Sequence, residues 1–176
     1  MSQWADAKCS MARTFHILLS LLVAFSLTGT SCVRATEVTP QIIVSTGVTR
    51  EDIFKIVNQT RASLNEPILI QNAKLQLAAQ KKAEDMAKRG WFSHTSPEGT
   101  KVWPTIKAYD YQTLGENLAV NFDTSTSTVA AWIKSPTHYA NIADADFRDT
   151  GIGIAVGSYG GRATSTFVVQ LFGRQR

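Results

Sequence analysis

Once the expected leader over residues 1–35 is set aside the chain holds two histidines, His94 and His138, each inside a dense polar block. The blocks read Phe92-Ser93-His94-Thr95-Ser96-Pro97-Glu98-Gly99 and Ser135-Pro136-Thr137-His138-Tyr139-Ala140-Asn141-Ile142, with Gly115-Glu116-Asn117-Leu118-Ala119 between them. Imidazole binds a borderline metal or moves a proton near neutral pH, and a carboxylate orients it or serves as base. His94, Glu116 and His138 are therefore the candidate catalytic residues and the candidate ligands of Zn²⁺ or another divalent cation, with water in the fourth position. The competing reading is a metal-free polar cluster. Whether Glu116 faces a metal or orients a histidine from behind stays open at this level. Asn117 and Asn141 are expected to donate to loop carbonyls and fix the cavity wall, and Ser96 and Ser135 to cap the turns that follow them. Ser96 lacks a Gly-x-Ser-x-Gly elbow and Pro97 follows it directly, so it is not read as a hydrolase nucleophile.

These side chains must be brought together by elements the sequence also marks. Thr49-Arg50-Glu51-Asp52 has the form of a capping box, with Asp shorter than the usual Glu, and Ile53, Ile56, Val57, Thr60 and Leu64 then fall on one helical face. Asn65-Glu66-Pro67 ends that helix. A second helix spans 72–89, with Leu75, Ala78, Ala79, Lys82, Ala83 and Met86 on or beside the buried side and Gly90 as its stop. A third, short helix is expected over 102–109, with Pro104 in its first turn. Residues 114–122 read as a strand. Thr124 to Thr128 offer several N-caps for a helix containing Val129, Trp132 and Ile133, which Pro136 breaks or restarts. Segments 151–156 and 166–172 are strand-like and predict a hairpin across Gly157-Ser158-Tyr159-Gly160-Gly161. Helices first and strands late indicate an α+β domain with helices covering a small antiparallel sheet. Trp91, Trp103, Trp132 and Phe172 are read as core, and Asn58-Gln59-Thr60 as a sequon of little meaning on a helix.

The 176 residues leave room for one ordinary domain. Residues 17–27 form an apolar run behind Arg13, too short for a membrane span and suited to a signal peptide. Cleavage after Val33-Arg34-Ala35 leaves Thr36 first, giving a leader over 1–35, a linker over 36–48 and a domain over 49–176. In the alternative, a lipoprotein leader ends at Thr30-Ser31-Cys32 and Cys32 is acylated. Met11 also opens a more conventional leader than Met1, and Ile42-Ile43-Val44 in the linker is an alternative edge strand. Both cysteines, Cys9 and Cys32, precede Thr36, so a domain cleaved there has no disulfide. It carries 15 basic and 13 acidic groups. The basic cluster of Lys81, Lys82, Lys88 and Arg89 is interleaved with Glu84 and Asp85, which predicts a solvated helix face and no nucleic-acid surface.

The order His-Thr-Ser-Pro-x-Gly, Gly-Glu-Asn-Leu-Ala, Trp-x-x-Ser-Pro-x-His-x-x-Asn-Ile, Gly-x-Gly-x-Ala and Val-Val-Gln-x-Phe-Gly resembles the bacterial branch of the CAP superfamily, from about Ile53 to Gly173. That superfamily takes in cysteine-rich secretory proteins, antigen 5 and plant pathogenesis-related proteins. The resemblance implies an α-β-α sandwich and matches His94, Glu116 and His138 to three cavity residues. A second cavity glutamate, common in eukaryotic members after the tryptophan matching Trp132, is absent, since Lys134, Ser135 and Pro136 stand there. The implied role is a secreted or envelope-attached monomer that binds an extracellular lipid, cell-wall glycan or protein. The alternative is a metal-dependent hydrolase with Glu116 as base and a water activated on His94 and His138; an inert structural cavity is the third reading.

Overall fold

The structure, a computed structural model, describes residues 47–102 and 111–175. In chain order the elements are α1 (Arg50–Ser63), β1 (Ile70–Gln71), α2 (Ala73–Arg89), β2 (Tyr111–Val120), α3 (Ser125–Lys134), α4 (Pro136–Ala143), β3 (Asp149–Tyr159) and β4 (Arg162–Gln175). The strands form one sheet in the order β1-β3-β4-β2, antiparallel except for the β1–β3 pair. Strand alternation splits the core in two. Leu118, Phe167, Val169 and Leu171 face α2 together with Leu75, Ala79, Ala83 and Met86. Ala119, Val168, Ile152 and Phe172 face the opposite layer with Ile53, Val57, Val129, Trp132 and Ile142. The α-β-α sandwich is thus built from α2 on one face and α1, α3 and α4 on the other.

The Gly-x-Gly-x-Ala block exists because α2 lies against β3 backbone to backbone. A Cβ on Gly151 would fall 2.1 Å from the Gln76 nitrogen, one on Gly153 2.2 Å from the Ala79 carbonyl, and one on Gly157 2.3 Å from the Ala87 oxygen. Two glutamines on α2 then bond the β3 edge as a neighbouring strand would. Gln76 donates to the Ile152 carbonyl and accepts from its N–H at 3.1 Å, and Gln80 does the same at Ile154 at 3.0 Å in each direction.

Several elements differ from the sequence expectation for local reasons. Thr49 caps α1 by accepting from the Asp52 N–H, but its own N–H is bonded to Ser125 Oγ at 2.9 Å, and Asp52 accepts the Thr49 hydroxyl. The short Asp side chain closes half a box. The buried face of α1 is Ile53, Val57 and Arg61, with Leu64 at the surface. Arg61 is fully buried because the carbonyls of Pro67, Ile142, Asp144 and Phe147 take its guanidinium at 2.7–3.2 Å. Pro136 restarts a helix, as N1 of α4. The hairpin turn is tighter than expected, with Gly160 and Gly161 both at positive φ, so the flanking strands are longer. The helix expected over 102–109 lies almost wholly outside the described residues, as do Trp103, the leader and most of the linker with its Ile42-Ile43-Val44.

Candidate functional site

β2 is a sheet edge, and its Gly115-Glu116-Asn117 block sends consecutive side chains to opposite faces. Glu116 points to the α2 side and is buried there. Both carboxylate oxygens accept from Lys82 Nζ at 2.8 Å, and Oε1 also lies 2.6 Å from His94 Nδ1. The third Lys82 proton goes to the His94 carbonyl at 3.0 Å, so one ammonium ties α2, β2 and the His94 loop together. An ionised carboxylate can only accept from His94, so Nδ1 carries a ring proton, and in the neutral ring Nε2 is then the lone pair. The His94 side chain is 58% exposed, in contrast to 2% for Glu116.

The loop that carries His94 is pinned to α2 on both sides of it. Trp91 Nε1 donates to Asp85 at 3.0 Å, and Arg89 grips Glu98 through two bonds of 2.8 and 3.2 Å, which pulls the Glu98 carboxyl down to about 2. Ser96 closes the turn between them: its N–H reaches the Thr100 carbonyl at 2.7 Å, its hydroxyl meets Thr100 Oγ1 at 2.7 Å, and Gly99 supplies the positive φ. A groove of about 210 Å³ opens beside this loop, with Lys82, Trp91, Ser96, Thr100 and Val102 among its walls.

On the other face, Asn117 and Asn141 lock α4 to β2. Asn141 Nδ2 donates to the Glu116 carbonyl at 3.1 Å and to Asn117 Oδ1 at 2.8 Å, and Asn117 donates to the His138 carbonyl at 3.1 Å. Gly115 makes room for this, since a Cβ there would sit 2.7 Å from the Phe147 ring and 3.0 Å from Asn141 Oδ1. Ser135 is the N-cap of α4 by position, but its hydroxyl bonds no backbone N–H; it meets His138 Nδ1 at 2.8 Å. Burial, followed by repulsion from His94 when that ring is protonated, lowers the His138 pKa and favours the neutral ring. The two histidines are electrostatic neighbours, each held at Nδ1.

Sequence reasoning missed Lys82 as a site residue, and the structure removes it from the expected solvated cluster. A signal was present: Lys82 falls four residues after Ala78 on the buried side of α2, and a buried ammonium demands an acid. Glu116 is that acid. As for a metal, both Glu116 oxygens are engaged by Lys82, and among the described residues no three His, Cys, Asp or Glu side chains converge closely enough to hold an ion.

Comparison with known proteins agrees with the architecture. The model of the cysteine-rich secretory protein family, CAP, matches residues 54–172. The chain belongs to the CAP family. Among curated relatives, the uncharacterized protein YkwD of Bacillus subtilis is 31% identical over 105 residues, covering 56% of this chain and 40% of YkwD. The chain thus spans less than half the length of that relative. Among solved structures, an extracellular SCP-domain protein of Bacillus anthracis superposes with a TM-score of 0.59 at 26% identity, covering 71% of this chain and 40% of that one. An outer surface protein of Borrelia burgdorferi gives 0.60 at 25% identity, covering 75% of this chain and 99% of that one. The two solved structures are thus of an extracellular and an outer surface protein. No helix among the described residues is long and apolar enough to cross a membrane.

Proposed function

We propose that this CAP domain is an exported, envelope-located binding module whose extracellular partner seats on the His94–His138 shelf and in the groove beside it. The observation that carries this reading is the engagement of Glu116. A general base needs a lone pair that the proton it takes can reach, and the Glu116 side chain is 2% exposed with Lys82 and His94 taking three of its roughly four acceptor sites. What these residues present outward suits recognition: the exposed His94 ring, the half-buried His138 ring, and the groove wall at Trp91. The groove is smaller than the roughly 300–1,000 Å³ of sites that enclose drug-sized ligands. That size suits one ring or side chain of a larger glycan or protein. The apolar run over 17–27, read as part of a leader, and the surface location of the structural relatives support an envelope setting.

The test is co-sedimentation of the purified chain with insoluble cell-wall glycan and with anionic lipid vesicles, alongside assays on peptide, ester and glycan substrates with and without Zn²⁺. Retention on one matrix that His94→Ala and His138→Ala weaken at least about tenfold, without turnover, is the expected outcome. Metal-dependent turnover abolished by Glu116→Gln would overturn the reading in favour of a hydrolase.

A further inference from the structure

We infer that Lys82 is the resident cation of this site, a positioning residue whose ammonium, bound to both Glu116 oxygens and the His94 carbonyl, fixes the His94 ring and takes the place an incoming cation would have at the buried Glu116 carboxylate. The inference rests on the proposed binding reading only for its consequence, because the clamp itself is testable with no partner present.

Three observations carry it. Lys82 has three ammonium protons and three acceptors, at 2.8, 2.8 and 3.0 Å, so its donors are fully used. Its side chain and that of Glu116 are 7% and 2% exposed, so the pair is shielded from water and the attraction is little screened. The carboxylate that holds Lys82 is also the one that takes the His94 Nδ1 proton at 2.6 Å. An ion-paired carboxylate behind an imidazole is the arrangement that sets ring tautomer and ring direction in metal and catalytic sites. Here the charge balancing the carboxylate comes from the chain itself, on α2. The partner therefore meets imidazole nitrogens and the groove, and the carboxylate acts only through His94. Lys82 thereby decides what class of ligand the site takes: one recognised by imidazole nitrogens, and not one requiring a free carboxylate.

The experiment is long-range ¹H–¹⁵N NMR of the histidine rings in the full chain at about pH 8, above the ordinary imidazole pKa of about 6.5. The wild type is expected to show His94 with its proton on Nδ1. In Lys82→Ala that signature should be lost, n-propylammonium should restore it by filling the vacated cation position, and n-propanol should not. A wild-type His94 protonated on Nε2, a Lys82→Ala ring that keeps the wild-type signature unaided, or equal rescue by propanol overturns the inference. Should Lys82→Ala not fold, the neutral pair K82M/E116L removes both charges together. It is expected to fold with His138 signals in place and His94 released, and a His94 signature like the wild type's would overturn the inference there as well. No ligand enters the measurement, so failure of the binding assays above leaves this result standing, and the converse holds too.

Discussion

Lys82 and Glu116 are two charges out of water, so their worth depends on being present together. Breaking a buried pair by removing one partner costs about 3–5 kcal/mol, whereas replacing both with apolar groups is often close to neutral. Urea denaturation should therefore show Lys82→Met less stable by about that amount, with K82M/E116L recovering most of it; a single-mutant loss below about 1 kcal/mol would mean the pair is hydrated. His138 gives a pH prediction of the opposite origin. Its folded pKa lies below the unfolded value of about 6.5, so the unfolded chain binds the proton first on acidification. The stability it contributes is complete above that value and is lost as pH falls toward the folded pKa. A His138→Asn variant should show a flatter stability profile between pH 7 and about 5, and an unchanged slope would remove His138 from the account. At this scale, the sequence names His94, Glu116 and His138 and leaves open whether Glu116 faces a metal or a histidine, and Glu116 is in hydrogen-bond contact with His94. What no pattern carries is the direction of each side chain. Ser135 reads as a cap and instead meets an imidazole, because only coordinates say whether a hydroxyl turns toward backbone or toward a neighbouring ring.

α2 owes its position to what β3 lacks. Gly153→Ala places a methyl 2.2 Å from the Ala79 backbone, which no rotamer can relieve, so the helix must lift from the sheet. The expected loss is about 1–3 kcal/mol or more, with thermal melting as the check. Gly161, with no atom within 4 Å of an added Cβ, offers a control in which only its positive φ is strained. α1 depends on a different device. Arg61→Met should cost more than about 3 kcal/mol, since it strands carbonyls from the α1–β1 loop and from the end of α4 that otherwise share one guanidinium. Helical periodicity finds the existence of α1, α2 and α3 and nearly their bounds, because apolar spacing and Thr49, Asn72 and Thr124 as caps are local signals. It misassigns the α1 face at Arg61 and Leu64. An arginine reads as solvent-facing until the carbonyls that satisfy it are brought in from positions more than 80 residues away. β1 is equally invisible, as two residues paired to a distant strand carry no period.

The whole molecule holds two apolar layers against one sheet without any covalent staple among the described residues, in a family named for its cysteines. Both cysteines of the chain precede Thr36, so thiol reductant should leave the melting temperature of the purified domain unchanged. A drop of several degrees would reveal a cross-link the fold does not account for. Secondary-structure order is enough to give the α+β class, and the five motif blocks add the sandwich. Three of those blocks turn out to be packing requirements: the glycines of β3, Gly115 under Phe147, and the Asn117–Asn141 pair.

The glutamine ladder on α2 carries a limit within its own geometry. Side chains four apart on a helix are separated by about 6.0 Å, while every second residue of an antiparallel strand advances about 6.8 Å. A helix can therefore impersonate a strand for only a short stretch before the two rulers drift out of step. Gln76 and Gln80 keep pace with Ile152 and Ile154; at the third rung Glu84 turns back to Gln80, and Val156 stands 63% exposed. Side-chain pairing from α2 thus serves the part of the sheet border nearest β1, at Ile152 and Ile154, and the ladder ends after two rungs.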